Sequence, residues 1–333
     1  MLSAILISTL PFPAEYKSDV RSAMKFMFTE QFSKADSVAE RVKSRLPDSP
    51  LGYILHMASL EFYMTDWSTD SREREFMAEY DKANQMCRAG IANSSGKEKA
   101  KWHMFRGATV GFKALHYARR YYSKTNVLRA MKYAKEALDE FNRAYEMDST
   151  LYDCYLAMGL YDLAISYMQR KVPWLKSEDR RKQGLARLNA AMEHSELFKP
   201  LAMMAYVYVY SYDHNPELAL QYLRFLKTMY PGSRTLMWLE TEVYIENQRW
   251  FYGLSSAQAL LEEIERSQPE CYVNQAEAHI KIALCQFKLG NKEGAAEHME
   301  LAQQLLDKEK DPNRAGEVSK VRSKMKDAQK QMK

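Results

Sequence analysis

The run ALDEFNRAYEMDSTLYDCYLAMGLYD, Ala137–Asp162, decides how this chain is read. Ala137, Phe141 and Ala144 are spaced so that they share one helix face. Asp148 and Ser149 break that helix, and Tyr155, Met158 and Gly159 open a second one. Ala137, Ala144 and Gly159 are small enough for two helices to approach closely, while Phe141 and Tyr155 fill the space left between them. The expected unit is a pair of packed helices joined by a tight turn.

The same spacing of small, bulky and small residues recurs along the chain. The copies are Ala35/Ala39/Val42, Ala83/Cys87/Gly90, Ala137/Phe141/Ala144, Gly184/Leu188/Ala191, Ala219/Leu223/Leu226, Ala257/Leu261/Ile264 and Ala295/Met299/Ala302. Pro47, Pro231, Pro269 and Asp307 stand five residues past four of them. One such triplet is ordinary on a helix, but the full series in register denotes a repeat. The pattern resembles that of tetratricopeptide repeats, W-x2-L-G-x2-Y followed by A-x3-F and a proline. That resemblance implies an all-α, tetratricopeptide-like right-handed α-solenoid of about seven helix pairs plus a C-terminal capping helix.

The triplets lie about 47 to 54 residues apart in the first half and about 35 to 38 in the second, against about 34 for a standard repeat. Lengthened early repeats resemble a bacterial branch of the family. The run Gly159–Leu163 and the VPWL tetrapeptide that starts at Val172 precede an acidic-Arg turn and Gly184. That stretch is similar to eukaryotic relatives linked to inclusion-body clearance.

Composition agrees with a stacked helical body. Of 333 residues 46% are apolar, enough for a continuous core, and the 12 Gly and 10 Pro fall mostly at expected helix ends. The excess of 48 basic over 43 acidic residues is slight and spread along the chain, so it gives no nucleic-acid footprint. Cys87, Cys154, Cys271 and Cys285 show no C-x-x-C spacing and read as structural thiols. Three regions result: 1–14, an apolar arm or truncated signal peptide; 15–309, the solenoid; and 310–333, a polar, basic cap. Residues 1–14 carry no charge and end at Ala14, like the core and cleavage end of a secretory signal. On that reading the protein is periplasmic or secreted, and otherwise cytoplasmic. The apolar run Leu2–Leu10 is too short for a membrane span.

Two stretches need arbitration. Lys97–Tyr122 reads as one long helix in which Gly107 falls one place late for the repeat. Leu201–Tyr212 alternates Tyr206, Tyr208, Tyr210 and Tyr212 like a strand, yet the downstream triplet and Pro200 set a helix there. At the repeat's aromatic position in Leu51–Met64 stands Glu61, with Phe62 beside it as a substitute.

No catalytic or cofactor motif is present: no H-E-x-x-H, G-x-S-x-G, Walker loop or G-x-G-x-x-G, and no histidine shares metal-ligand spacing with a partner. Gly107 and Gly111 read as close helix packing, and Asp179-Arg180-Arg181 as a solvated first turn. The expectation is a non-enzymatic scaffold without cofactor or metal that binds a protein or peptide in its concave groove. The alternative is a helical-repeat protein for nucleic acid or another anionic ligand, drawn from Arg119-Arg120-Tyr121-Tyr122-Ser123-Lys124 and the Lys/Arg-rich C-terminus. Helix A of each repeat lines the groove in this family. The register then places Asp153, Leu156, Leu160, Leu163, Leu201, Met204, Tyr208 and Tyr212 on it. Tyr206 and Tyr210 are expected to turn toward the partner helix instead.

Overall fold

The computed structural model describes residues 17–120, 123–171, 179–194 and 199–332. The signal-like arm, the VPWL loop with Ser177, and the Tyr121-Tyr122 pair lie outside these residues. Among the described residues all regular structure is helical: α1 (Lys17–Phe28), α2 (Phe32–Arg45), α3 (Leu51–Asp66), α4 (Glu73–Asn93), α5 (Gly96–Arg119), α6 (Lys124–Met147), α7 (Asp153–Lys171), α8 (Arg181–His194), α9 (Lys199–Tyr212), α10 (Pro216–Met229), α11 (Arg234–Glu246), α12 (Trp250–Ser267), α13 (Tyr272–Lys288), α14 (Lys292–Lys308) and α15 (Ala315–Gln331). The arbitrated stretch Leu201–Tyr212 is helix, because its tyrosines must pack against α10.

The chain forms two compact units. The first takes the chain up to Met27, then Gln31–Phe62 and Glu73–Ala205. The second takes Phe28–Glu30, Tyr63–Arg72 and everything from Tyr206 onward.

In the first unit α5 packs along α6, and α7 along α8. The triplets mark these seams. Every triplet position in the chain is buried except Gly90 and Leu261, which are half-buried; Leu260 takes the deeper place beside Leu261. Gly107 sits under the Phe141 ring, which a Cβ would meet at 2.9 Å, so its displacement from the repeat pattern serves this contact. Gly159 and Gly184 face each other. A Cβ on either would lie 2.9 Å from the other's carbonyl oxygen, so α7 and α8 touch backbone to backbone. The break between α6 and α7 is a local turn in which Asp148 Oδ1 accepts from Thr150 N (3.1 Å) and Thr150 Oγ1 (2.6 Å).

Charged groups are buried in this unit at positions where apolar periodicity predicts none. Glu61, at the expected aromatic position, is fully enclosed and accepts from His116 Nδ1 (2.9 Å) and Arg119 Nε (3.2 Å). Burial raises the Glu61 carboxyl, but Arg119 and His116 outweigh it and hold the group below its ordinary value. Glu140 is likewise enclosed, with His103 Nδ1 at 2.6 Å and Arg143 at 3.0 Å. Pairing offsets the desolvation of these charges, and removal of one partner would cost about 3–5 kcal/mol.

In the second unit α11 packs on α12, α12 on α13, and α13 on α14. Local signals start these helices: Asn215 and Asn291 cap α10 and α14 by accepting from Leu218 N (3.4 Å) and Gly294 N (3.0 Å). At the α13–α14 turn Gly290 adopts φ 92, which lets Asn291 N reach Gln286 O (2.9 Å). The expected cap is α15, whose Val321 and Met325, with Val318 beside them, close the core formed by Val273, Ala276, Ile280 and Ala283. All four cysteines are buried free thiols.

Candidate functional site

The expected groove residues divide between the two units. In the first, Asp153, Leu160 and Leu163 on α7 are half-buried, whereas Leu156, Leu201 and Met204 are fully enclosed. These three side chains pack the core and present no surface to a ligand. In the second unit Tyr208 is half-buried and Tyr212 is 42% exposed. Tyr206, buried, stacks on Tyr210 (5.6 Å between ring centroids) and on Tyr222 of α10 (5.4 Å). One helical face of α9 therefore grips α10 while the other carries Tyr208 and Tyr212.

From Tyr208 a row of polar side chains crosses the alternate helices of this unit. Burial, then Glu242 and Tyr212, push the Tyr208 phenol well above its ordinary value. Glu242 on α11 accepts from Lys281 Nζ on α13, and Lys281 also lies 5.8 Å from the Trp238 ring centre. One turn earlier on α13, Glu277 accepts from Lys324 Nζ of α15 at 2.5 Å, with Lys281 4.0 Å away. Burial raises Glu277, but Lys324, Lys281 and Lys320 overcome it and hold the carboxyl at about 2. Glu242, Glu277, Trp238 and Lys324 are each half-buried, and Lys281, which joins them, is buried. Trp238, Glu242, Glu277, Lys281 and Lys324 were not among the residues expected from the sequence. Trp238 and Glu242, and Glu277 and Lys281, are each four residues apart on one helix, but their pairing across helices and with Lys324 leaves no signal in the sequence.

Metal binding has one geometric candidate among the described residues. Glu40, His56 and Glu79, on α2, α3 and α4 of the first unit, offer ligand atoms within 4.8 Å of one another. The Lys43 ammonium already lies among them, 2.7 Å from Glu40, 2.8 Å from Glu79 and 3.0 Å from His56 Nδ1. A lysine cation thus neutralises these carboxylates, with the geometry of an internal ion pair.

Two cations of the basic run considered for nucleic acid, Arg119 and Arg120, are engaged internally. Arg119 pairs with Glu61, and Arg120 donates to Glu73 Oε2 at 2.7 Å. Asp179 Oδ1 accepts from Arg181 N (3.0 Å) at the start of α8, as a capping contact does.

The fold is a tandem array of tetratricopeptide-like helix pairs closed by a C-terminal capping helix. No family model matches this sequence, and no curated protein matches it. Among solved structures the chain is similar to one from the crystal structure of the APC/C hetero-tetramer Cut9–Hcn1. The TM-score is 0.48 at 15% identity, over 95% of this chain and 57% of that one. It is also similar to a monomeric mutant of IFIT1 with Gppp-AAAA, with TM-score 0.39 and 13% identity over 86% of this chain and 71% of that one. The chain thus spans little more than half the length of the first of these. The helical-repeat assignment rests on the chain's own triplets and helix pairs. No described helix is long and apolar enough to cross a membrane.

Proposed function

We propose that this protein is a non-catalytic scaffold that binds a segment of a partner protein along the first helices of its repeats. The observation that carries the reading is the chain of contacts Glu242–Lys281–Glu277–Lys324, with Trp238 beside Lys281, together with the exposed Tyr212 on α9. Its groups alternate in charge and are interleaved with aromatic rings, which suits an extended peptide with both polar and apolar side chains. The hydroxyls of Tyr208 and Tyr212 fit a groove that is wet at one end. Asp153, Leu160 and Leu163 offer the corresponding face on α7.

The test is a capture experiment with a photo-crosslinking residue placed beside Tyr212, in the native host. Tyr208→Ala with Tyr212→Ala should abolish the crosslinked species while leaving the melting temperature nearly unchanged. Tyr206→Ala should instead destabilise the fold by about 3–5 kcal/mol, as truncation of a buried aromatic does. If both sets destabilise alike, these tyrosines are core and the groove reading is wrong.

A further inference from the structure

The N-terminal half of α6, in the first unit, carries cations and no anion. Lys124–Lys135 contains Lys124, Arg129, Lys132 and Lys135 and no acidic residue, and the acids begin only at Glu136. A helix N-terminus is the positive end of the backbone dipole and disfavours cations. α10, α14 and α15 each begin with an acidic residue in the first turn and end with a basic one in the last, whereas α3, α9 and α11 have neither. α6 has neither.

Lys124, Leu128, Met131, Lys132 and Lys135 follow the helical period and form one stripe along α6. All are exposed, Leu128 at 68% and Met131 at 44%. Beside the stripe, Tyr133 stacks on Tyr117 of α5 with ring centroids 5.7 Å apart. Arg129 lies 5.4 Å from the Tyr117 ring centre and Lys113 4.9 Å from that of Tyr133.

We infer that this stripe docks an acidic segment of a partner protein, with bulky apolar residues between its carboxylates. The stripe's three cations, Lys124, Lys132 and Lys135, with Arg129 to one side and no intervening anion, call for a negative partner. Leu128 and Met131, set between Lys124 at one end and Lys132 and Lys135 at the other, call for an apolar centre in that partner. A nucleic acid's phosphates would leave Leu128 and Met131 without a partner, and single-stranded bases would need open aromatic faces, whereas here the tyrosines cover each other. A membrane-surface helix presents a continuous apolar face, whereas this stripe has two apolar side chains between lysines. From Lys124 to Lys135 the stripe runs roughly 16 Å, about five residues of extended chain. The site is separate from the tyrosine row and does not depend on it.

The experiment uses the full chain and a fluorescein-labelled peptide of Glu-Asp-Glu-Leu-Phe-Glu-Asp-Glu, followed by fluorescence anisotropy. Saturable binding is expected, weakening about tenfold or more between about 50 and 500 mM salt as screening sets in. Combined Lys124→Glu, Lys132→Glu and Lys135→Glu should weaken it about tenfold or more, with the melting temperature nearly unchanged because all three side chains are exposed. Leu128→Ala with Met131→Ala should weaken binding several-fold at every salt concentration. The inference is overturned by lack of saturable binding, or by equal affinity for the peptide with Gln for every acid. It is also overturned if phosphatidylserine vesicles or a single-stranded RNA oligonucleotide bind while the peptide does not. A lower melting temperature for the charge-reversed protein would make the cations part of the fold's framework and refute the inference equally.

Discussion

Replacing Glu30 by glutamine should stabilise the protein at alkaline pH and flatten its pH profile. Glu30 belongs to the second unit, where its Oε1 accepts from Thr235 N (3.3 Å) and Ser233 Oγ (3.4 Å) at the start of α11. Beside it Arg234 makes a two-pronged contact with Asp66, at 3.0 and 2.6 Å, and Gln268 Nε2 adds a donor to Asp66 Oδ2 at 2.8 Å. Burial and then the Asp66 charge push Glu30 from 4.5 to about 8, outweighing Arg234 and the α11 amides. A carboxyl whose folded pKa is raised contributes stability that is complete below about pH 4.5 and lost as pH rises through about 8. The full difference corresponds to at most about 5 kcal/mol, and relaxation around a partly solvated site should reduce it to about 2–3 kcal/mol. Glutamine mimics the protonated acid and removes this loss. Urea unfolding of both proteins from pH 5 to 9 isolates the effect as their difference, because every other titrating group is shared. The expected result is wild-type stability falling relative to Glu30→Gln across pH 5–8, with the variant ahead above pH 8. A constant difference across that range, or a variant less stable at pH 8, would show that Glu30 is ionised when folded and that the α11 amides and Arg234 dominate its surroundings.

Two further outcomes follow from packing and protonation. Gly184→Ala should cost about 1–3 kcal/mol in urea unfolding, because its Cβ would stand 2.9 Å from the Gly159 carbonyl oxygen and force α7 and α8 apart; no loss of stability would mean that the seam is loose. His279 and His298, whose Nδ1 atoms lie 2.8 Å apart on α13 and α14, both resist protonation, with burial first and then His298 holding His279 down at about 4. Depressed histidines cost stability as pH falls below about 6.5 toward 4, so His298→Leu should lessen the acid sensitivity of the melting temperature between those values. An unchanged acid limb would place the protonation elsewhere.

What sequence alone determined here is the helical-repeat architecture and its register. The triplets such as Ala137/Phe141/Ala144 are a local record, since helical spacing puts apolar residues on one face wherever the chain goes. Pro231, Gly290 and Asn291 mark helix ends for equally local reasons, through fixed φ, positive φ and a capping amide. The same logic resolved Leu201–Tyr212 as helix, because the downstream repeat set its phase. Tertiary structure decided which surfaces remain open. Leu156, Leu201 and Met204 follow the groove register, yet neighbouring helices enclose them; Tyr208 and Tyr212 on the same register keep an open side. It also decided which charges are internal. Glu61, Glu140 and Asp66 look like surface residues in a linear reading, and they are buried because His116, Arg106 and Arg234 reach them from helices 34 to 168 residues away in sequence. Pairing across helices leaves no periodic trace along the chain, so a buried ion pair becomes visible only when both partners are placed in space.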